Sequence, residues 1–246
     1  MKAHNLGLIG RNISYSFSAG YFKEKFEREN LDSYNYQNFD IDEISELKKI
    51  IAHTKNLKGL NVTIPYKETV IPLLDALSKK AKAIGAVNTI TISKKGKLKG
   101  YNTDWYGFKK AIKPLLQPHH TKALILGTGG ASKAVAFALR KLRIEYDFVS
   151  RNATDVIYSY EGLTHEIFNQ YTIIINTTPV GTYPDTDNCP PLNYGYFTDK
   201  HIAFDLIYNP AETAFLRLAK NKGATIQNGY NMLVYQAEKA WEIWNR

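Results

Sequence analysis

Four groups of residues in this chain have the types and spacing to do chemistry. The first is Gly127-Thr128-Gly129-Gly130-Ala131-Ser132, set between an apolar run (Ala123 to Leu126) and apolar residues at helical spacing (Val135, Ala138, Leu139, Leu142). Glycines let a backbone turn sharply and approach a ligand with no Cβ in the way. The helix that follows presents N–H groups and its positive end to a pyrophosphate. A strand, a glycine turn and a helix together open a dinucleotide-binding βαβ unit, a structural tight turn being the plainer alternative. The other three groups are polar clusters where strands are expected to end: Asn61-Val62-Thr63 leading to Lys67, then Asn88, then Asn102-Thr103-Asp104. Polar strand ends in an α/β domain that faces a nucleotide domain line the natural ligand cleft. As a set they suit a polyhydroxylated acid. Singly, each has a plainer role: Lys67 a solvated charge, Asn88 a turn residue, Asp104 a helix N-cap.

The choice of dinucleotide turns on the end of the second strand of the nucleotide unit. An NAD-binding unit places a carboxylate there, about 20 residues past the glycines, to accept from the ribose 2′-OH. Here the stretch is Ser150-Arg151-Asn152, with no carboxylate. An arginine suits a 2′-phosphate through forked, charge-assisted hydrogen bonds. The residues therefore favour NADP over NAD, against the plainer reading of Arg151 as a surface arginine. The six histidines are scattered and form no ordered pair, and they read as structural or solvated.

The elements that must position these groups alternate strand and helix. In the first hundred residues, strands are expected at Leu6–Gly10, Tyr34–Phe39, 59–64, 87–92 and 98–101, the last two joined as a hairpin through Lys94-Lys95-Gly96-Lys97. Helices are expected from about Ala19 to Asn30 with Ser18 as N-cap, after Asp42, from near Lys67, and over Ser78–Ile84. A helix over Trp105–Leu116 leads into the nucleotide unit, whose strands fall near 122–126, 146–150, 155–160, 171–176, 201–208 and 224–227. A closing helix spans about Tyr230–Trp244. One irregularity stands out: few residues separate the second and third strands, although a parallel crossover takes a dozen or more. The third strand is therefore expected either to pair antiparallel or to belong to a truncated lobe.

Composition narrows the class. Of 246 residues, 44% are hydrophobic and 22% charged, as in an ordinary globular protein, and no 18-residue apolar run implies a membrane span. The opening apolar patch is too short for a signal peptide, and the single cysteine, Cys189, excludes an internal disulfide and a cysteine metal cluster. The chain is expected to be cytoplasmic, with no metal. The net charge of +9 raises a nucleic-acid reading, but the lysines are dispersed rather than gathered, and no nucleic-acid partner is expected. A positive potential favours an anionic substrate and a phosphate-bearing cofactor.

Together these stretches resemble the shikimate dehydrogenase family over nearly the whole chain. The resemblance is carried by Ser16-Phe17-Ser18, Gly59 to Lys67, Gly85-Ala86-Val87-Asn88-Thr89, Gly100 to Asp104, Gly127 to Ser132, Asn176 to Gly181, Asp205 to Pro210 and Gly229 to Ala237. It implies an NADP-dependent oxidoreductase interconverting shikimate and 3-dehydroshikimate in aromatic amino-acid biosynthesis. It implies an α/β fold of two domains, an N-terminal substrate domain (1–103 plus 229–246) and a Rossmann-like NADP-binding domain (104–228) with a truncated second crossover, the last helix returning to the first domain. By the same resemblance, Lys67 and Asp104 form the catalytic pair. Ser16 and Ser18 hold the substrate carboxylate, and Asn61, Thr63, Asn88 and Gln236 bind ring hydroxyls or the carboxylate. The cofactor falls to Gly127, Gly129, Gly130, Ala131, Ser132, Ser150, Arg151 and Thr178, with Tyr208 and Gly229 bordering the nicotinamide. The assembly is expected to be a monomer or weak homodimer. Two roles for Lys67 stay open, a relay for the hydroxyl proton or an electrostatic hold on the developing alkoxide.

The chain departs from the family pattern after the second strand. The usual Asn-Arg-Thr is Ser150-Arg151-Asn152, and the further basic residue is replaced by the Thr154-Asp155 region. This keeps alive a quinate/shikimate dehydrogenase with relaxed NAD and NADP use.

Overall fold

The structure, a computed structural model, describes residues 4–13 and 16–246. Met1–Ala3, and Ser14 and Tyr15 of the loop expected over 10–18, lie outside the described residues. In chain order the elements are β1 (His4–Gly10), α1 (Phe17–Arg28), β2 (Tyr34–Asp40), α2 (Leu47–His53), β3 (Leu57–Val62), β4 (Ala76–Leu77), α3 (Lys79–Ile84), β5 (Thr89–Ile92) and β6 (Leu98–Tyr101). Then follow α4 (Asp104–Ile112), β7 (Lys122–Leu126), α5 (Gly130–Leu142), β8 (Glu145–Val149), β9 (Ile157–Tyr158), α6 (His165–Asn169), β10 (Ile173–Asn176), β11 (Ile202–Asp205), α7 (Ala214–Lys220), β12 (Thr225–Gln227) and α8 (Tyr230–Trp244). They form two compact units, 1–103 with 237–246, and 104–236. The division falls within α8, whereas the sequence places the boundary at residue 229. Met232, on the first turn of α8, is buried with Phe108 and Phe204 of the second unit.

The first unit holds a six-stranded mixed sheet in the order β2-β1-β3-β5-β6-β4. β2, β1 and β3 run parallel, β3 pairs antiparallel with β5, and β5 and β6 form the expected hairpin. One face buries Leu47, Leu60, Val62, Tyr66, Val70 and Ile90. The other buries Leu6, Leu8, Phe22, Phe26 and Tyr36 beneath Ala237, Ala240 and Trp244 of α8. The Trp244 indole N–H, buried, donates to the Ile90 carbonyl at 3.0 Å, so the end of α8 is both packed and bonded onto this sheet.

Two local expectations are corrected here. The N-cap of α1 is Ser16, whose Oγ accepts from the Ser18 N–H at 3.2 Å; the helix starts before Ser18 rather than after it. No helix starts at Lys67. Residues 64–70 are turns, with a short 3₁₀ segment at Ile71–Leu73. The Lys67 carbonyl accepts from the Val87 N–H at 2.7 Å, which takes away the acceptor a continuing α-helix needs, and the Ile71 N–H turns back to Glu68 O.

The second unit holds a sheet in the order β12-β11-β10-β7-β8-β9, with every neighbouring pair parallel. Counted from β7, this is the doubly wound order 3-2-1-4-5-6. Alternation along the central strands divides the core as a pleated strand requires: Ala123, Ile125, Ile173 and Ile175 pack with α4 and α5, while Leu124, Leu126 and Ile174 pack with Phe168 and Phe215. β9 pairs parallel with β8, Phe148 against Ile157 and Val149 against Tyr158, so the antiparallel alternative is set aside. The crossover is truncated to residues 150–156. That suffices because β9 is two residues long and meets only the last two of β8, so the chain has almost no distance to return. Among the described residues no helix is long and apolar enough to cross a membrane.

Candidate functional site

In the first unit the polar strand ends form one buried chain of hydrogen bonds. Asn61, near the end of β3, is 4% exposed. Its amide nitrogen donates to the Asn88 carbonyl at 3.1 Å and to Thr89 Oγ1 at 3.3 Å, and its oxygen accepts from the Tyr36 hydroxyl at 2.8 Å. Asn88 follows the left-handed cap at Gly85 (φ 74°) that ends α3. Its Oδ1 accepts from the Thr103 N–H at 2.7 Å and from Thr89 Oγ1 at 3.0 Å, and its Nδ2 reaches Thr103 Oγ1 at 2.9 Å. Asn102 Nδ2 donates to the Ala86 carbonyl at 3.0 Å. Every member is buried and hydrogen-bonded, the condition under which a polar network in a core is tolerated and becomes rigid. Thr63 and Lys67 stand half-buried in the chain beyond β3. Ser18 is buried at the start of α1, and its hydroxyl neighbours the Tyr36 phenol, which burial holds well above the usual tyrosine range.

In the second unit Asp104 is buried as the first residue of α4, and Gln236 is buried on α8. α4 and α8 pack at Gly107, where a Cβ would lie 2.4 Å from the Met232 carbonyl and 3.1 Å from Gln236. The glycine turn follows β7, the strand beside which the sheet order reverses. Gly127 has φ +102°, which favours glycine, and a Cβ there would also press on Thr177 and Thr178 at 3.0 Å. Gly129 precedes α5 with no side-chain cap, and a Cβ on it would meet no protein atom within 4 Å. Packing among the described residues does not demand glycine there, and the open space leaves the backbone accessible to a ligand group. Ser132 Oγ donates to the Gly129 carbonyl at 2.6 Å, fixing the turn against the helix. The residues present thus fit a dinucleotide phosphate at the backbone N–H groups of Gly130, Ala131 and Ser132. At the end of β8, Ser150 Oγ accepts from the Asn152 N–H at 3.2 Å, and Arg151 is exposed with its charge near Tyr160.

Beside the glycine turn lies a cluster to which sequence reasoning assigns no role. Asp205, at the end of β11 and fully buried, accepts from Asn176 Nδ2 at 3.1 Å, from the Ile207 N–H at 3.0 Å and from Thr213 Oγ1 at 2.6 Å. Asn176, at the end of β10, in turn accepts on Oδ1 from the Thr178 N–H and hydroxyl at 3.0 and 2.7 Å. Burial pushes the Asp205 carboxyl up to about 7, against the pull of its three donors. This cluster sets the loops that carry Thr178 and Tyr208. Gly229 donates its N–H to the Ile207 carbonyl at 2.9 Å, and a Cβ on it would sit 2.0 Å from the Leu206 carbonyl. Two signals could have drawn attention to the cluster, namely polar residues ending the apolar runs at 173–175 and 202–204.

A complete parallel sheet with a glycine turn at its switch point, joined to a mixed-sheet unit with a buried polar chain at its strand ends, defines a two-unit α/β protein of the dinucleotide-binding class. Comparison with known proteins narrows this. Residues 8–90 match the family model described as the shikimate dehydrogenase substrate binding domain. Shikimate dehydrogenase (NADP(+)) of Methanosphaera stadtmanae is 40% identical, over 96% of this chain and 89% of its own. The protein of the same name from Methanococcus maripaludis is 40% identical, over 99% and 92%. The crystal structure of shikimate 5-dehydrogenase from Thermus thermophilus in complex with NADP(H) and shikimate is 32% identical and covers 98% of this chain and 93% of that one, with a TM-score of 0.85. The chain belongs to the shikimate dehydrogenase family.

Proposed function

We propose that the chain is an NADP-dependent shikimate dehydrogenase that reversibly reduces 3-dehydroshikimate to shikimate on the route to chorismate and the aromatic amino acids. The observation that carries this reading is the buried Asn61–Thr89–Asn88–Thr103 chain at the strand ends of the first unit, in a chain whose second unit has the doubly wound order with its glycine turn at the switch point. The first supplies fixed polar groups for a hydroxylated ring; the second supplies backbone N–H groups for a dinucleotide. The domain assignment follows: residues 1–103 with the end of α8 bind substrate, and the 104–228 region binds NADP.

When bound, NADP supplies the hydride acceptor for oxidation and, as NADPH, the donor for reduction. In the oxidation direction the C3 hydrogen leaves with its electron pair, and the C3 hydroxyl gives up its proton. Lys67 takes that proton or steadies the oxygen losing it, and Asp104 orients Lys67 and a ring hydroxyl. Ser16 suits the carboxylate: its α1 cap uses a lone pair of Oγ and keeps the O–H hydrogen out of that bond. Ser18 is its partner there, its one hydroxyl hydrogen swinging from the Tyr36 phenol to the carboxylate when substrate binds. Asn61, Thr63, Asn88 and Gln236 meet the ring hydroxyls or the carboxylate. Gly127, Gly129, Gly130, Ala131 and Ser132 cradle the pyrophosphate, Ser150 and Arg151 the 2′-phosphate, and Thr178, Tyr208 and Gly229 the nicotinamide half. The protein is proposed to work in the cytoplasm as a monomer or weak homodimer.

The test is absorbance at the nicotinamide band with shikimate or quinate and NADP or NAD. Turnover of shikimate with NADP is expected to exceed the other three combinations. Equal turnover with quinate and NAD would replace this reading by a quinate/shikimate dehydrogenase. That second reading is favoured by one observation, the single exposed arginine at the end of β8 with Asp155 close behind it.

A further inference from the structure

One buried side chain of the first unit touches two residues of the proposed substrate site and is not among those the sequence singles out. Tyr36 lies on β2, the edge strand, with its ring stacked on Phe22 at 4.6 Å between centroids and 18° between planes. Its hydroxyl donates to Asn61 Oδ1, and the Ser18 hydroxyl is its other polar neighbour.

Donor counting fixes the direction of these bonds. A backbone carbonyl can only accept, so the Asn61 atom 3.1 Å from the Asn88 carbonyl is the amide nitrogen. The same nitrogen reaches Thr89 Oγ1, so both of its hydrogens are used. The amide oxygen then faces Tyr36, and the phenol is the donor. One lone pair of that oxygen is left for a ligand, and no N–H. A ligand group that meets Asn61 must bring its own hydrogen, as a hydroxyl does and a carboxylate does not. The phenol, having spent its hydrogen on Asn61, turns a lone pair to Ser18.

We propose that Tyr36 is a positioning residue of the substrate site: its hydroxyl closes the Asn61 network at the oxygen end, holding that oxygen for a ring hydroxyl of the substrate while it steadies Ser18. The inference rests on the reading of the first unit as the substrate site. It assigns Asn61 to a hydroxyl and leaves the carboxylate to other groups. Removing the Tyr36 hydroxyl takes its bond from the Asn61 oxygen, leaves the amide held at its nitrogen end alone, and keeps the Phe22 stack in place. The loss therefore falls on affinity for the hydroxylated acid, with cofactor binding and hydride transfer untouched.

The experiment is Tyr36→Phe in the full chain, with kcat and both KM values measured beside the thermal midpoint, and shikimate binding to the parent protein measured by calorimetry. A hydrogen bond of ordinary worth predicts a shikimate KM about 3- to 10-fold higher, with kcat within about twofold and the NADP KM unchanged. A shikimate KM equal to the parent's overturns the proposal. So does a rise in both KM values together with a lower midpoint, the mark of general loosening. If the parent itself binds no shikimate, the substrate-site reading falls and this proposal with it. If the parent binds and Tyr36→Phe matches it, only the positioning role falls.

Discussion

The two units meet the problem of ligand recognition in opposite ways. At the strand ends of the first, the groups proposed to recognise the ligand are side chains, buried and bound to one another: Asn61 and Asn88 are 4% and 3% exposed, and Thr89 and Thr103 are fully buried. At the switch point of the second, the proposed recognition falls mostly to backbone, at a helix start without a side-chain cap and a glycine facing open space, with one exposed arginine beyond. The first arrangement ties specificity to stability, since each polar group lost leaves a buried partner unsatisfied. The second separates them at Gly129 and Arg151, which face open space or solvent, though not at Gly127, whose φ of +102° ties the turn to glycine.

Four substitutions sharpen or break that contrast. The largest effect is expected from Lys67→Ala, which should lower kcat by about 10²- to 10⁴-fold, as loss of a proton-transfer group does. The thermal midpoint, measured beside kcat, separates loss of chemistry from loss of fold at this half-buried residue. Near-parental turnover with normal shikimate binding would remove Lys67 from the chemistry. Next comes Gly129→Ala. A methyl group that meets no protein atom should leave the midpoint unchanged and raise the NADP KM about 10- to 100-fold by displacing the phosphate. An unchanged KM would move the pyrophosphate elsewhere. Arg151→Ala follows: charge-assisted bonds worth about 1.5–3 kcal/mol predict that the NADP-to-NAD ratio of kcat/KM falls about 10- to 100-fold. A parental ratio already near one would show the site to be relaxed.

The smallest effect tests the buried cluster of the second unit. The Asp205 carboxyl is raised to about 7 from an ordinary 3.8, so between these values the folded chain holds a proton that the unfolded chain has released. Stability is therefore lost as pH rises through that window and levels off above it. Asp205→Asn removes this contribution while keeping an oxygen for Asn176 and Ile207. The fall in thermal midpoint from pH 5 to pH 8 should be smaller in the variant, each kcal/mol being worth about 2–4 °C. Identical pH profiles would show that Asp205 is ionised at no cost.

What can be read from the sequence is whatever local pattern determines. The glycine turn is legible because a strand-like apolar run precedes it and helical spacing follows. The β5–β6 hairpin announces itself through its lysine–glycine turn, and the limits of α8 match those read from its apolar spacing. The N-cap of α1 shifts by a local bond between Ser16 and Ser18, but the other features missed need distant partners. Tyr66 and Val70 are buried at helical spacing, which suggests a helix, but Val87 claims the Lys67 carbonyl from 20 residues away. The Asn176–Asp205 bond joins residues 29 apart, and nothing local says that β10 and β11 are neighbours. Tyr36 is legible as a strand residue with an apolar ring; the use of its hydroxyl depends on β1 standing between β2 and β3. The rule for parallel crossovers misleads at β9 because it presumes strands of ordinary length.

The way α8 is divided has a consequence for how the molecule is made. The sheet of the first unit is complete in sequence by residue 101, yet the cluster of Leu6, Phe22 and Tyr36 also includes Ala237, Ala240 and Trp244 of α8. During synthesis that part of the cluster must wait for the whole intervening unit to leave the ribosome, with α1 already packed on the same face. A nascent chain halted after β12 would lack Met232 in the core of the second unit as well as Ala237, Ala240 and Trp244 in the first, so one helix finishes both cores.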